Sequence, residues 1–239
     1  MLHSSYRLTH RVEWGWIAPQ NERENPLAEV KALVPVQTHS DNIAFVTAND
    51  KGPYEDTDAI ITQVRGLTIG IRTADCVPIL LYAPDIAAVA AVHAGWKGTL
   101  NGIVTKTVDK LVEMGAFPSA MSAVIGNCIC ATCYEISKEL ASEFVGREEF
   151  AESVTCGEYS DPLSRVRFDK DRPHLNLVGA NRALLVEAGI PESNITCTGI
   201  CTRHTLIGSD SPSCGGGYFP SWRRDSGTTL RQLTWIRLD

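Results

Sequence analysis

The sequence predicts an α/β (α+β) chain, with helices layered on β-sheet, from three observations. Short apolar or β-branched runs recur between glycine, proline and aspartate residues. Amphipathic stretches of helical spacing are interleaved with them. No fixed-period repeat, low-complexity tract or proline- or serine-rich linker divides the 239 residues, so one compact domain over 1–239 is the simplest organisation. The apolar content of 44% is enough for a sizeable core.

In chain order, Ala59 to Val64, Leu67 to Arg72, Val77 to Tyr82 and Ala87 to His93 read as strands of a buried sheet. After Gly98, the residues Leu100, Ile103, Val104, Thr107, Val108, Leu111 and Val112 follow helical spacing, and Gly115 is placed as a stop. Ser122 to Gly126 returns to strand character. Helices follow at Ser137 to about Val145 and at Leu175 to about Ala188, the second ended by Gly189 with Pro191 beyond. Ile195 to Thr198 and Leu230 to Leu238 close the chain as strands. The charged, turn-rich region Thr155 to Pro173 reads as a long surface excursion. These patterns do not give the strand order.

Lysine plus arginine (22) against aspartate plus glutamate (28) gives a net charge of −6, which argues against a general nucleic-acid or anionic-membrane binder. The stretches Val77 to Pro84 and Ile86 to Val92 fall short of the roughly 20 apolar residues that cross a bilayer. MLHSSYRLTHRVEW carries no apolar block of signal-peptide length, so a cytoplasmic location is expected. Eight cysteines in such a chain suggest reduced thiols, catalytic groups or metal ligands before a disulfide framework.

Three segments place a metal-binding side chain near a strand end: His39 in PVQTHSDNIAF, Cys76 in IRTADCVPILLY and His93 in AAVHAGWKGTL. Two imidazoles and a thiolate suit zinc and leave a fourth tetrahedral position open. The gaps of 37 and 17 residues are no local metal motif, however, and such side chains also serve as packed or hydrogen-bonded core. The glycine-bracketed turn of Val92 to Thr99 leads into a helix start that favours an anion, with Lys97 and Arg72 as cations beside it. Arg72 paired with Asp75 is the plainer alternative. GWKGT lacks P-loop spacing, which excludes a nucleoside triphosphatase of that type.

Cys128, Cys130 and Cys133 form C-x-C-x-x-C, while Cys197 and Cys201 lie four apart. No paired C-x-x-C knuckle results, so buried reduced thiols are expected rather than a second zinc or an iron–sulfur centre. His3, His10, His174 and His204 show no partner in the sequence. Asp56 and Asp58 read as turn or cap residues ahead of a strand, and Trp96 either stacks a planar ring or fills core.

Together QTHSDNI, DTDAIIT, IRTADCVPILLY, AVHAGWKGTL, IGNCICATCYEI, ANRALLVEAGI and FPSWRRDSGTT resemble the laccase-domain family. Its members were formerly called multicopper polyphenol oxidases and are now regarded as zinc-dependent purine nucleoside phosphorylases. The match runs from about Pro35 to the C-terminus. The resemblance implies mixed sheet flanked by helices, with Zn2+ on His39, Cys76 and His93. It also implies phosphorolysis of adenosine, inosine and guanosine, methylthioadenosine cleavage and adenosine deamination. Small nucleosides and phosphate are then the partners. In that frame Arg72 and Lys97 are expected to meet phosphate, with Asp75 as the nearby carboxylate for proton transfer. Residues 1–34 depart from the family as a short segment lacking its usual arginine, glycine pair and serine-leucine-asparagine stretch. Asn127 and Cys130 replace the common proline and glycine, and Thr205 to Tyr218 is longer than usual. Substrate preference is what these departures touch most.

Three rivals use the same residues. Copper on His39, Cys76 and His93 matches a blue-copper donor set. A laccase needs many more histidines than the 6 here, and Met114 and Met121 are the internal thioethers. A thiol hydrolase would make Cys76 the nucleophile and His93 or His39 its base. A closed structural zinc in a binding module needs a fourth protein ligand.

Overall fold

Strands that are apolar at every position need cover on both faces, and two further layers provide it. The computed structural model describes residues 1–9, 11–19, 21–50, 52–150, 153–155, 172–207 and 217–239. Its elements are β1 (Leu2–Thr9), β2 (Val12–Ala18), α1 (Pro26–Val30), β3 (Ile43–Val46), β4 (Ala59–Thr62), β5 (Thr68–Thr73), β6 (Val77–Ala83), β7 (Ala88–Ala94), α2 (Trp96–Leu100), α3 (Ile103–Glu113) and β8 (Ser122–Ile125). They continue with α4 (Lys138–Val145), β9 (Val154–Thr155), β10 (His174–Leu175), α5 (Leu177–Glu187), β11 (Ile195–Cys197), β12 (Leu206–Ile207), β13 (Gly217–Tyr218) and β14 (Gln232–Leu238).

A six-stranded mixed sheet in the order β11-β8-β6-β7-β4-β3 lies at the centre. An antiparallel sheet, β1-β2-β14-β5, covers one face. Ile60, Leu80, Tyr82, Val89 and Ala91 meet Trp14, Ile69, Ile71 and Ile236 between the two sheets. The alternate residues Ile61, Ile79, Leu81, Ala90 and Val92 face the helices, packing with Val104, Val108, Leu111, Leu184 and Leu185. This double burial explains why β6 and β7 read as unbroken apolar runs. Each of these fully buried Ile or Leu side chains contributes about 1.5–3 kcal/mol relative to exposure.

The mixed sheets and flanking helices expected from the sequence are present, and the strands expected within 59–93 are β4 to β7. One helix differs. The stretch after Gly98 is two helices, because Gly102 takes a left-handed φ of 73° and breaks the ladder between α2 and α3. The hairpin β1–β2 and strand β3 carry no clear sequence signal, since β1 lies at a sheet edge and mixes polar and apolar residues without a buried alternation. Most of the expected excursion at Thr155 to Pro173 lies outside the described residues, as does the middle of Thr205 to Tyr218. Among the described residues no helix is long and apolar enough to cross a membrane.

Candidate metal centre

Sheet topology brings three distant segments to one end of the central sheet. β6 and β7 are antiparallel with Val77 opposite Ala94, so Cys76, just before β6, lies beside His93 at the end of β7. β4 is antiparallel to β7 with Ala59 opposite Val92, which sets Asp58 against the same histidine. β3 runs parallel to β4, and the loop before it carries His39 to this end. The Cys76 Sγ and His39 Nε2 are 3.8 Å apart, and the His39 and His93 ring centroids are 4.9 Å apart. One donor atom from each of the three residues lies within 4.8 Å of the others. His93 is buried, Cys76 half-buried and His39 exposed, so the group opens to solvent on the His39 side.

Asp58 organises this group, a role its turn-like sequence context did not reveal. Its fully buried carboxylate accepts from the backbone N–H groups of Thr38 (3.1 Å), His39 (3.2 Å) and Ser40 (2.7 Å) and from the Ser40 hydroxyl (2.8 Å). It also bonds His93 Nδ1 at 2.6 Å. A carboxylate on one ring nitrogen fixes the tautomer and turns the other nitrogen toward a metal. Asp56 accepts from the Thr38 hydroxyl and from Asn42 Nδ2, tightening the same loop. His39 and Asp75 hold left-handed φ angles of 64° and 88°, strain of the kind concentrated at functional sites. A Cβ on Gly95 would come within 3.0 Å of His39 Cδ2 and 3.1 Å of Cys76 Sγ, so the HAGW glycine is what lets the chain pass this close to both donors.

The charges in this cluster stabilise one another. Burial works against ionisation of Asp58, but hydrogen bonding and charge from His93, with the Thr38 and Ser40 donors, hold its carboxyl at about 2. Burial likewise opposes the Cys76 thiolate, yet the His93 charge and the His39 hydrogen bond bring the thiol down to about 6. His93 is raised to about 9 against its own burial, by Cys76 first and then Asp58. The arrangement therefore favours a deprotonated sulfur flanked by two imidazoles.

Of the other residues singled out from the sequence, Asp75 is buried. Its Oδ1 accepts from Thr202 Oγ1 at 2.6 Å, its Oδ2 from the Arg223 backbone N–H at 2.7 Å, and its carbonyl from Ile129 N–H at 2.9 Å. Among the described residues no ion pair joins Asp75 to Arg72. Arg72 exposes its side chain while its backbone exchanges two bonds with Gln37, tying the QTH segment to β5. Lys97 is exposed above the Trp96 ring, 5.4 Å from its centroid. Sequence reasoning missed Arg231. Burial, with Arg72 adding to it, lowers this guanidinium against the charges of Cys76 and Asp75, so all four share one neighbourhood.

A cleft of about 710 Å³ runs alongside, lined by Trp96, Tyr134, Arg172 and Arg223 among others. Burial pushes the Tyr134 hydroxyl up, and the charges of Cys76 and then Asp75 add to the effect, so this residue of the cleft wall lies within electrostatic reach of Cys76. Arg223 lies 5.2 Å above the Tyr134 ring.

The donor set fits a borderline-soft divalent ion. Two imidazoles, one thiolate and an orienting carboxylate make a three-ligand site with a position to spare. The thioethers Met121 and Met114 pack in the helical core layer.

A second group departs from the sequence expectation. Cys130, Cys133, Cys201 and His204 place one donor atom each within 4.8 Å of the others, so His204 does have partners. The C-x-x-C half pairs with a C-x-x-H half, which a search for two C-x-x-C units overlooks. Cys128 and Cys197 are not among these four residues.

Comparisons with known proteins agree on one group of relatives. Residues 20–239 match the family model described as multi-copper polyphenol oxidoreductase laccase. A purine nucleoside phosphorylase of Deinococcus radiodurans is 35% identical over 196 residues, covering 82% of this chain and 66% of its own length. Adenosine deaminase RL5, from an unknown prokaryotic organism, is 32% identical over 179 residues, covering 72% of this chain and 65% of its own length. The chain thus spans just under two thirds of these two relatives. The crystal structure of the Bacillus licheniformis hypothetical protein YfiH superposes with a TM-score of 0.78 at 26% identity, covering 95% of this chain and 93% of that one.

Proposed function

The chain belongs to the multi-copper polyphenol oxidoreductase laccase family, and from that membership we propose that it is a zinc-dependent purine nucleoside phosphorylase. Its reaction is cleavage of the N-glycosidic bond of adenosine, inosine and guanosine by phosphate, with methylthioadenosine phosphorolysis and adenosine deamination as further activities. The observation carrying this reading is the convergence of His39, Cys76 and His93 on one point, near a cleft walled by Trp96, Tyr134 and charged side chains. The names of the relatives supply the nucleoside chemistry, a phosphorylase in one and a deaminase in another.

His39, Cys76 and His93 would hold the zinc, which would supply Lewis-acid chemistry at this site. Asp58 keeps the His93 ring in the orientation that presents its second nitrogen. Arg72 and Lys97, both exposed, and the half-buried Arg231 are the cations for phosphate, and the partly desolvated Arg231 holds an anion more strongly than an exposed cation does. Trp96 and Tyr134 offer ring faces to the purine at the cleft wall. In phosphorolysis a phosphate oxygen forms the new bond to C1′ as the C1′–N9 bond gives its electron pair to the purine. The phosphate's proton ends on the leaving base. The protein's task is to hold the two reactants in line and to meet the charge that develops. For deamination Asp75, next to Cys76 in the chain, is the carboxylate for proton transfer, since the closer Asp58 is taken up by His93 and the Thr38 to Ser40 loop. The Asp75 oxygens already accept from Thr202 and Arg223, so a proton reaches it through a remaining lone pair.

The test is a phosphate-dependence assay on adenosine, inosine and guanosine, with metal analysis of the same sample. Base release that requires phosphate and zinc supports the reading. Full activity in a metal-free Cys76→Ala protein overturns it. One observation favours a second reading: the Cys76–His93–Asp58 chain, with a thiol near 6, is also the arrangement of a thiol nucleophile and its oriented base. Stoichiometric alkylation of Cys76 in zinc-replete protein selects that reading, because a coordinated thiolate is shielded.

A further inference from the structure

We propose that Cys130, Cys133, Cys201 and His204 form a second metal site, a closed structural zinc that clamps the two loops bracketing Asp75. The four donor atoms lie within 4.8 Å of one another, and two of the contacts are direct: Cys133 Sγ to His204 Nδ1 at 3.3 Å and Cys130 Sγ to the same nitrogen at 3.9 Å. In a tetrahedron with Zn–S near 2.3 Å, neighbouring donors stand about 3.5–3.8 Å apart, so the group already has the scale of one coordination sphere.

The local backbone explains the convergence. Cys130 and Cys133 are joined by a tight turn closed by Cys133 N–H donating to the Cys130 carbonyl at 3.0 Å. The second pair sits on a turn closed by Thr205 N–H donating to the Cys201 carbonyl at 3.1 Å. Each turn sets residues i and i+3 on one side, and the resulting C-x-x-C with C-x-x-H is knuckle spacing contributed twice. The turns face each other because Cys128 and Cys201 form a bridge, with Cys128 N–H on the Ile200 carbonyl (3.2 Å) and Thr202 N–H on the Cys128 carbonyl (3.0 Å).

Zinc is the ion that this set selects. Three thiolates and an imidazole form one of its usual closed structural spheres, and no position is left for a reactant. An iron–sulfur cluster inserts several irons and sulfides between its ligands and needs them spread more widely. Binding is not a redox step: the ion replaces protons on the thiols, which pass to solvent. The consequence lies next door. Ile129 N–H and Thr202 Oγ1, one from each loop, both bond Asp75, whose neighbour is Cys76. A clamp on this seam therefore positions the catalytic edge without touching substrate.

Zinc content of the purified full-length chain tests this directly. Two zinc ions per chain are expected in the wild type, one in Cys76→Ala and one in Cys201→Ser. His204→Cys keeps two, since a fourth thiolate closes the same tetrahedron. Cobalt-loaded Cys76→Ala protein gives the intense absorption of a tetrahedral cobalt thiolate, a readout that survives if Cys201→Ser fails to fold. The proposal is overturned by a wild type holding one zinc that vanishes in Cys76→Ala. A disulfide among the three cysteines, iron in place of zinc, or an octahedral cobalt spectrum overturns it equally. None of these outcomes depends on turnover, so the second site can fail while the phosphorylase reading stands.

Discussion

Two groups of soft donors connect through Asp75, which adjoins Cys76 in the chain and is bonded by Ile129 and Thr202 from the loops of the second group, and they differ in everything except donor type. His39, Cys76 and His93 come from three strand ends, open to solvent on one side, and border a cleft and a cluster of arginines. Cys130, Cys133, Cys201 and His204 come from two short turns, with Cys133 and Cys201 buried and four donors present instead of three. The missing fourth donor is what makes the first group suited to chemistry, and its presence is what makes the second a clamp. The difference also shows in the surroundings. The first group has an orienting carboxylate with five contacts and two residues in left-handed conformation nearby, whereas the second rests on ordinary turn hydrogen bonds.

The sharpest way to separate the two groups is to remove one cysteine from each. Cys76→Ala is expected to lose one zinc and about a thousandfold or more of kcat/KM, roughly 4 kcal/mol of barrier. Cys201→Ser is expected to lose the other zinc and only about tenfold in kcat/KM, roughly 1.4 kcal/mol, with a lowered Tm as the larger effect. Equal losses of activity in the two variants would erase the distinction. Asp58→Asn keeps the shape but weakens the hold on His93, so zinc affinity is expected to fall about 10–100-fold, read by competition with a chelator.

A pH series on metal-free protein probes the first group further. Asp58 is depressed to about 2, so its contribution to stability is complete above its ordinary value near 4 and is lost as pH falls toward 2. The loss is about 2 kcal/mol, and it should be absent from Asp58→Asn when both proteins are unfolded by denaturant. The raised His93 contributes below about 6.5 and loses its effect as pH climbs through about 9. The lowered Cys76 gains over the interval from about 6 to 9, so the two offset and the acid limb dominates. Alkylation of Cys76 in metal-free protein should rise with a midpoint near 6 rather than 9. The smallest effect is expected at Lys97, which is exposed and screened: Lys97→Ala should raise the KM for phosphate about two- to fivefold with kcat unchanged.

How much of this was legible in the sequence depends on the distance over which each feature is determined. Strands β4 to β7 were readable because burial on both faces leaves an unbroken apolar run. His39, Cys76 and His93 stood out by chemical type, but their convergence required knowing that β6 and β7 are antiparallel neighbours, and no local spacing encodes that. Asp58 looked like a turn residue because its partners lie 18 to 35 positions away. Arg231 gave no signal because only the β14–β5 pairing sets it near Arg72. The second group was hidden for a simpler reason: its fourth donor is histidine, so a pattern built on paired cysteines passed over His204. The break at Gly102 was likewise concealed, since apolar spacing continues across it.

The most direct measurement of the central claim is ribose 1-phosphate formed from inosine by zinc-replete protein, with and without phosphate, beside Cys76→Ala. The account predicts sugar phosphate in equal amount to released hypoxanthine, none of either without phosphate, and none from the variant. Hypoxanthine freed without phosphate, or undiminished turnover in Cys76→Ala, would contradict it.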